Sequence, residues 1–447
     1  MQYIKRTLER KFNSMSGFFK CVLVTGARQV GKTTMLRHLS QGQNRTYVTL
    51  DNINARAMAK SDPALFFQTY KPPIIIDEVQ YAPELFSQIK ILCDESDEKG
   101  LFWLTGSQQY GMMKSVRESL AGRIGILELY TLSKSEKERV HYEGDLDFSF
   151  SGLHERQAER LSRFTVHEVG NSNKTLNEQS VNEDSKNQNP NIESANVSAG
   201  AFNAVDVYEH IWRGGMPYVL KADQEQMVEY FNSYVSSYIM RDAAEQGGIT
   251  DSLRFGKFLS ACAALLSEQV NTKKLADLAE VSQPTVKEWL ALLEGMGIVY
   301  LLRPYSNNAL KRLAKMPKLY FCDTGLAAFL SMWPTKETLM TGAASGHYFE
   351  NHVVMELRKN FAYAKDKAAM TYYRDSNAKE IDIIVEKSGF VHPLEIKKSA
   401  NPDKRLVKKF DVLEKSAIPQ GYGGIVCMCE EVLPVDERNC LIPCNLI

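Results

Sequence analysis

The run Gly26-Ala-Arg-Gln-Val-Gly31-Lys32-Thr33 combines glycines, a lysine and a hydroxyl at a spacing that suits one chemistry. Glycines let backbone N–H groups curl around phosphate oxygens where a helix begins and its dipole favours an anion. Lys32 can reach the β- and γ-phosphates of a triphosphate, and the Thr33 hydroxyl can ligate Mg2+. The phosphate-contacting set is therefore Gly26, Ala27, Arg28, Gln29, Val30, Gly31, Lys32, Thr33 and Thr34. An apolar run, Cys21-Val-Leu-Val-Thr25, leads in, and Thr33-Thr-Met-Leu-Arg-His-Leu leads out with helical character. Strand, loop and helix in that order form a P-loop; an ordinary glycine turn is the alternative.

A second element agrees with the first. Ile74-Ile-Ile-Asp77-Glu78 reads as a buried strand ending in two carboxylates. With a P-loop nearby, Asp77 joins Thr33 in holding Mg2+, and Glu78 orients the attacking water, so Glu78 and Lys32 are the catalytic candidates and ATP and Mg2+ the cofactors. Leu101-Phe-Trp-Leu-Thr105-Gly-Ser107-Gln108 is another buried strand with a polar end. Thr105, Ser107 and Gln108 either sense the γ-phosphate or the lytic water, or form a plain turn. Arg123 either supplies transition-state charge to a neighbouring subunit of a homo-oligomer or sits in a surface ion pair.

A third constellation lies near the end of the chain. Glu350 shares a helical stripe with Phe349, Val353 and Leu357, while Asp382 falls in Lys379-Glu-Ile-Asp-Ile-Ile-Val-Glu386 and Glu395 and Lys397 in Phe390-Val-His-Pro-Leu-Glu-Ile-Lys397. With Ser388-Gly389 as a two-residue hairpin loop, Asp382 and Glu395 stand opposite, their Cβ atoms about 5 Å apart. That spacing suits a shared divalent ion, and Lys397, two residues beyond Glu395, points to the same face. The set reads either as a metal-dependent nuclease site or as a solvated charged face, and Pro393 inside the second strand could shift the register. Cys427-Met-Cys429 and Cys440-x3-Cys444 depart from zinc spacing and read as core cysteines.

The elements that must carry these residues follow from periodicity. Short apolar strands (Cys21–Thr25, Tyr47–Leu50, Ile74–Ile76, Leu101–Leu104) alternate with helical stretches, which predicts an α/β fold: a parallel sheet with helices on both faces. Farther on, Thr272–Glu280 and Pro284–Glu294 form a helix–turn–helix pattern with Ser282 as N-cap. Gln283, Thr285 and Lys287 cluster at the start of the second helix, where a recognition helix would meet double-stranded DNA. A wing-like strand at Ile298–Leu302 follows, and then a basic stretch (303–318) holding Arg303, Lys311, Arg312, Lys315 and Lys318 without an acidic residue. It either contacts phosphates or the unit serves only for packing.

The chain resembles a group of prokaryotic AAA-type P-loop ATPases. The resemblance rests on Gly26–Thr33, on Ile-Ile-Asp-Glu-Val-Gln80, on Leu-Thr-Gly-Ser-Gln108 and on Ser119-Leu-Ala-Gly-Arg-Ile. It continues through Trp212-Arg-Gly-Gly-Met-Pro217, Tyr238-Ile-Met-Arg-Asp242 and Lys318-Leu-Tyr-Phe-Cys-Asp-Thr-Gly-Leu326. It implies an AAA+ ATPase followed by a winged-helix portion and a restriction-endonuclease-like domain of the PD-(D/E)xK type.

Composition sets the outer limits. At 447 residues, a soft prior of about 150 per domain suggests about three domains. Apolar residues at 44% and charged residues at 24% exclude collagen-like and fully disordered classes. Lys plus Arg and Asp plus Glu both total 54, so only local patches could attract a polyanion. No apolar run reaches the roughly 18 residues that span a bilayer, the first ten residues lack the apolar stretch of a signal peptide, and eight cysteines suit a reduced, cytoplasmic setting. Residues 165–200 are rich in Asn, Ser and Glu without aromatics, and read as a flexible insertion. The expected division is an ATPase domain (1–140), a linker with the insertion (141–204), a helical and winged-helix region (205–325) and a nuclease-like domain (326–447). Three functions compete at this level: an ATPase driving a DNA-engaging, nuclease-like region, a nucleotide-switched binding module whose nuclease-like domain is inert, and an ATPase that recognises a protein partner through the basic face.

Overall fold

The computed structural model describes residues 3–107, 116, 118–162, 203–305, 316–375, 377 and 379–447. The Asn/Ser-rich insertion, Gln108, and Lys311, Arg312 and Lys315 of the basic stretch lie outside the described residues.

Five strands, β1 (Cys21–Thr25), β2 (Thr46–Thr49), β3 (Ile74–Asp77), β4 (Phe102–Thr105) and β5 (Ile124–Glu128), form a sheet in the order β2-β3-β4-β1-β5. Every neighbouring pair is parallel. Alternate residues of a strand point to opposite faces, and here both faces are buried. Val22, Val24, Ile75 and Trp103 enter one apolar cluster, whereas Cys21, Leu23, Ile74, Ile76, Phe102 and Leu104 enter another. This two-sided burial is why the sequence shows continuous apolar runs rather than alternation. The sequence reading had no strand at β5. It is an edge strand whose residues alternate between buried and exposed, a weak signal over five positions.

The helices Thr272–Ala279 and Gln283–Gly295 follow the expected pattern, with the Ser282 side chain accepting from the Thr285 N–H. They lead into a two-stranded antiparallel sheet, β6 (Val299–Leu302) and β7 (Lys318–Phe321). The last part holds a six-stranded mixed sheet: β8 (Ala368–Arg374), β9 (Glu380–Lys387), β10 (Phe390–Lys397), β11 (Gly423–Cys427), β12 (Leu433–Pro434) and β13 (Asn439–Pro443), in the order β12-β13-β11-β10-β9-β8. One apolar cluster runs from Leu8 and Phe12 through Phe231 and Phe258 to Leu446 and Ile447, so the parts share a continuous core.

The helix Ser345–Tyr363 is the axis of that junction, because its polar residues are buried along with its apolar stripe. Glu356 accepts from the Lys134 N–H at 3.0 Å and from Lys359 Nζ at 2.8 Å, and Lys359 also reaches the Leu132 carbonyl at 3.1 Å. His352 is buried beside them, with its Nε2 lacking a hydrogen-bond partner among the described residues. Burial pushes its pKa down to about 3; Lys137, Lys359 and His210 act in the same direction against Glu356. A depressed histidine pKa means the unfolded chain takes up the proton first, so stability is lost as pH falls from about 6.5 toward 3. His352→Gln should flatten this acid-side slope by up to about 1.4 kcal/mol per pH unit in urea titrations. An unchanged slope would remove His352 as its source.

Candidate functional site

The loop between β1 and the helix Lys32–Leu39 takes its shape from three residues at positive φ. Gly26 (φ +137), Gln29 (φ +62) and Gly31 (φ +98) lie where side-chain-bearing residues are rarely found. A Cβ on Gly26 would lie 2.1 Å from the Leu129 carbonyl oxygen, so the backbone there passes too close to the residue that follows β5 for any side chain. Gly26→Ala should therefore reshape the loop and abolish nucleotide binding in calorimetry. Retained affinity would show that the loop tolerates a shift.

Lys32 is buried, and its ammonium donates to the Gly26 and Ala27 carbonyls at 3.0 and 2.8 Å. Burial, with Arg28 adding to it, pushes its pKa down to about 8 against Glu78 and Asp77. An anion placed in the loop would offset that desolvation. The Thr33 hydroxyl donates to Asp77 Oδ1 at 2.6 Å, which brings together the two side chains singled out for metal binding. Thr105, fully buried at the end of β4, donates to the same oxygen and accepts from the Glu78 N–H at 3.1 Å. Tyr47 on β2 donates to Asp77 Oδ2 at 3.3 Å. Glu78 itself has φ +58, a strained position for a non-glycine residue, and its carboxylate accepts from Gln80 Nε2. Ser107 is buried with a hydroxyl that finds no partner among the described residues. Arg123 lies at the surface, paired with Asp94 at 2.6 and 3.0 Å.

The loop is also gripped from outside its own sheet. Arg28 donates to both carboxylate oxygens of Asp242, at 2.8 and 3.3 Å, and Gln29 Nε2 donates to the Tyr238 hydroxyl at 2.9 Å. Tyr238 belongs to a π-helical turn, Val235–Ile239, between the helices Gln224–Tyr234 and Met240–Gly247. Such turns break the regular hydrogen-bond ladder and recur at functional positions. On the other side, Arg6 donates to the Val30 carbonyl at 2.8 Å. Sequence reasoning quoted Tyr238 and Asp242 within a motif without giving them a role, and it missed Tyr47 and Arg6. These contacts join residues far apart in the chain, and no spacing rule reaches that distance.

Residues 19–137 match the family described as an AAA domain. That match spans the P-loop and all five strands of the parallel sheet. Two further matches, over 205–337 and 345–447, are to domains of unknown function, DUF8612 and DUF4143. The chain is 26% identical over 384 residues to the uncharacterized protein Rv2008c of Mycobacterium tuberculosis, covering 85% of this chain and 71% of that protein, and to Mb2031c of Mycobacterium bovis with the same figures. Among solved structures, the Walker-type ATPase PABY2304 of Pyrococcus abyssi is 15% identical with a TM-score of 0.41, covering 73% of this chain and 96% of that one. RuvB of Thermotoga maritima is 15% identical with a TM-score of 0.23, covering 69% and 91%. No helix among the described residues is long and apolar enough to cross a membrane.

Beyond the ATPase domain, the β9–β10 hairpin turns through Ser388 and Gly389, both at positive φ, and pairs Phe390 with Lys387 through to Leu394 with Ile383. Pro393 sits in this ladder opposite Ile384 without shifting it. One step beyond that ladder lie Glu395 and Asp382, both within reach of Lys397. Lysines stand between the carboxylates expected to share a divalent ion. Lys397 Nζ lies 2.8 Å from Glu395 Oε1 and 3.3 Å from Asp382 Oδ2, and Lys409 Nζ lies 2.7 Å from the same Glu395 oxygen. Glu350 is held at 2.9 Å by Lys318 and at 2.7 Å by the Tyr320 hydroxyl. Lys318 further pairs with Glu380 at 2.7 Å and Asp382 at 3.8 Å. Ammonium groups thus neutralise the carboxylates, and among the described residues no group of three or more His, Cys, Asp or Glu side chains is arranged to hold a metal ion.

Burial and Asp382 still raise the Glu350 pKa to about 7 and push Glu395 up. Of the basic stretch, Lys318 is thereby also corrected: it is buried among carboxylates and does not face solvent, and Arg303 pairs with Glu294 at 3.3 Å. Alternation along β7 and β9 puts Lys318 with Tyr320, and Glu380 with Asp382, on common faces. That was the legible signal for the residues missed here.

Proposed function

We propose that the chain is a Mg2+-dependent ATPase in which the nucleotide state of the P-loop is passed to the helical region through Arg28 and Asp242. The observation that carries this reading is the convergence of buried Lys32, the Thr33–Asp77 contact and Glu78 at the ends of β1 and β3. The donor set fits a hard divalent cation: a hydroxyl and a carboxylate already meet at 2.6 Å, and the buried Ser107 hydroxyl lacks a partner among the described residues. Mg2+ held by Thr33 and Asp77 would neutralise charge on the transferring phosphoryl group. Lys32 exchanges its two loop carbonyls for phosphate oxygens, Glu78 accepts a hydrogen bond from the attacking water, and Thr105 fixes Asp77 and the Glu78 backbone. Arg28 is held by Asp242, whose charge outweighs the burial that opposes it and keeps the guanidinium pKa raised. Movement of the loop on binding phosphate therefore pulls on the helix Met240–Gly247.

The helices Thr272–Ala279 and Gln283–Gly295 with β6 and β7 are read as a winged helix that engages double-stranded DNA. Exposed Gln283 and Lys287 at the start of the second helix support that reading. In this account the C-terminal lysine–carboxylate cluster is structural. A nuclease role is the second reading, favoured by Lys397 reaching both Asp382 and Glu395 and by the buried Glu395 Oε2, which has no partner among the described residues.

The deciding experiment is ATP hydrolysis measured with and without double-stranded DNA. Mg2+-dependent turnover stimulated by DNA, with binding that weakens steeply as salt rises, is the expected result. Absence of nucleotide affinity in calorimetry would sink the proposal. Metal-dependent nicking abolished by Asp382→Ala would replace the structural account of the cluster with the nuclease one.

A further inference from the structure

A cavity of about 610 Å3 opens between the N-terminal segment, residues 141–146 and the end of the helix Ser345–Tyr363. Its volume falls in the range that holds small ligands. Arg6, Arg10 and Lys359 line it, and each has a carboxylate partner: Glu136 at 3.2 Å, Asp145 at 3.5 Å and Glu356 at 2.8 Å. Arg156 differs. It is only 7% exposed, yet its guanidinium has no ion pair among the described residues. Its Nε donates to the Leu446 carbonyl at 2.6 Å, its Nη2 donates to Asn360 Oδ1 at 2.9 Å, and its plane lies 3.5 Å over the Tyr142 ring. All three partners are neutral. Asp145 and Glu159 act on it only beyond ion-pair contact. A buried guanidinium with no carboxylate in contact is costly, and an anion entering the cavity would supply the counterion.

Lys5, exposed and without an ion pair among the described residues, adds a second uncompensated cation to the same cavity. The hydroxyls of Thr7 and Ser135 add donors to the wall. The wall also carries two carboxylates, Glu143, which is exposed, and Asp145, which is paired with Arg10 at 3.5 Å.

We infer that this cavity binds a small phosphate-bearing anion, its charged end against Arg156 and Lys5. A planar guanidinium fork beside an ammonium matches a doubly charged phosphate group better than a single carboxylate. The cavity lies behind the P-loop, since Arg6 lines it and donates to the Val30 carbonyl. The site does not depend on ATP turnover.

The test uses the full chain carrying Lys32→Ala, which disables the P-loop, titrated with inorganic pyrophosphate by calorimetry. Saturable one-site binding is expected, weakened about tenfold or more by Lys5→Ala and by Arg156→Gln. Lys5 is exposed, so its variant reports on binding even where Arg156→Gln compromises folding. No binding in the Lys32→Ala chain, or equal affinity in the Lys5→Ala variant, would overturn the inference. Binding of citrate with no response to pyrophosphate would overturn the phosphate assignment.

Discussion

Glu78→Gln should leave ATP bound while lowering turnover by about 10²–10⁴-fold, the range associated with a positioned general base. Gln has nearly the shape of Glu and loses only the negative charge that draws a proton from water. Lys32, Thr33 and Asp77 keep their contacts, so affinity is expected to change little. The fall should appear in kcat with KM nearly unchanged, because the lost interaction is made only in the transition state. The strained φ of +58 at Glu78 and the hold of Gln80 on its carboxylate argue that this side chain is aimed, since strain of this kind persists where surrounding structure over-determines it. Steady-state hydrolysis alongside equilibrium nucleotide binding checks the prediction. Turnover within a fewfold of wild type would assign the water-orienting role elsewhere.

Lys318→Met should destabilise the chain by about 3–5 kcal/mol, the cost of removing one partner from a buried ionic group. The ammonium is 5% exposed and lies within 4 Å of Glu350, Glu380 and Asp382. Its burial alone would lower the pKa, yet the three carboxylates outweigh that and raise it, so the lysine is held charged. Without it, three carboxylates face one another, with the Tyr320 hydroxyl left at Glu350, Arg374 at Glu380 and Lys397 at Asp382. Glu350, already near neutrality in pKa, would take up a proton and absorb part of the loss. The double variant Lys318→Met, Glu350→Gln should therefore recover part of the stability, a non-additivity expected only of groups in one network. Urea midpoints of the two single variants and the double variant measure it. Additive losses would show that Lys318 acts through packing rather than charge.

The P-loop part of the molecule was largely legible. Gly26, Gly31, Lys32 and Thr33 sit in one short segment, and their chemistry depends on backbone geometry that local sequence imposes. Asp77 and Glu78 could be found because a parallel strand buried on both faces reads as an apolar run with its polar residues at the tip. The β9–β10 register from Phe390 opposite Lys387 to Leu394 opposite Ile383 was legible for a similar reason: a two-residue turn sets the register of the residues behind it.

What occupies the space between elements was not legible. Sequence showed Lys318 as one cation in a basic stretch, and only the docking of β7 beside β9 and the helix Ser345–Tyr363 turned it into the counterion of Glu350, Glu380 and Asp382. Likewise Arg28 looked like a phosphate-loop residue until folding brought Asp242 against it. Local order in the chain thus determined the phosphate loop and the hairpin face, because steric and hydrogen-bond rules act over a few residues. Tertiary structure decided which charges face one another, because Coulomb energies depend on distance and burial, which residue spacing along the chain does not encode.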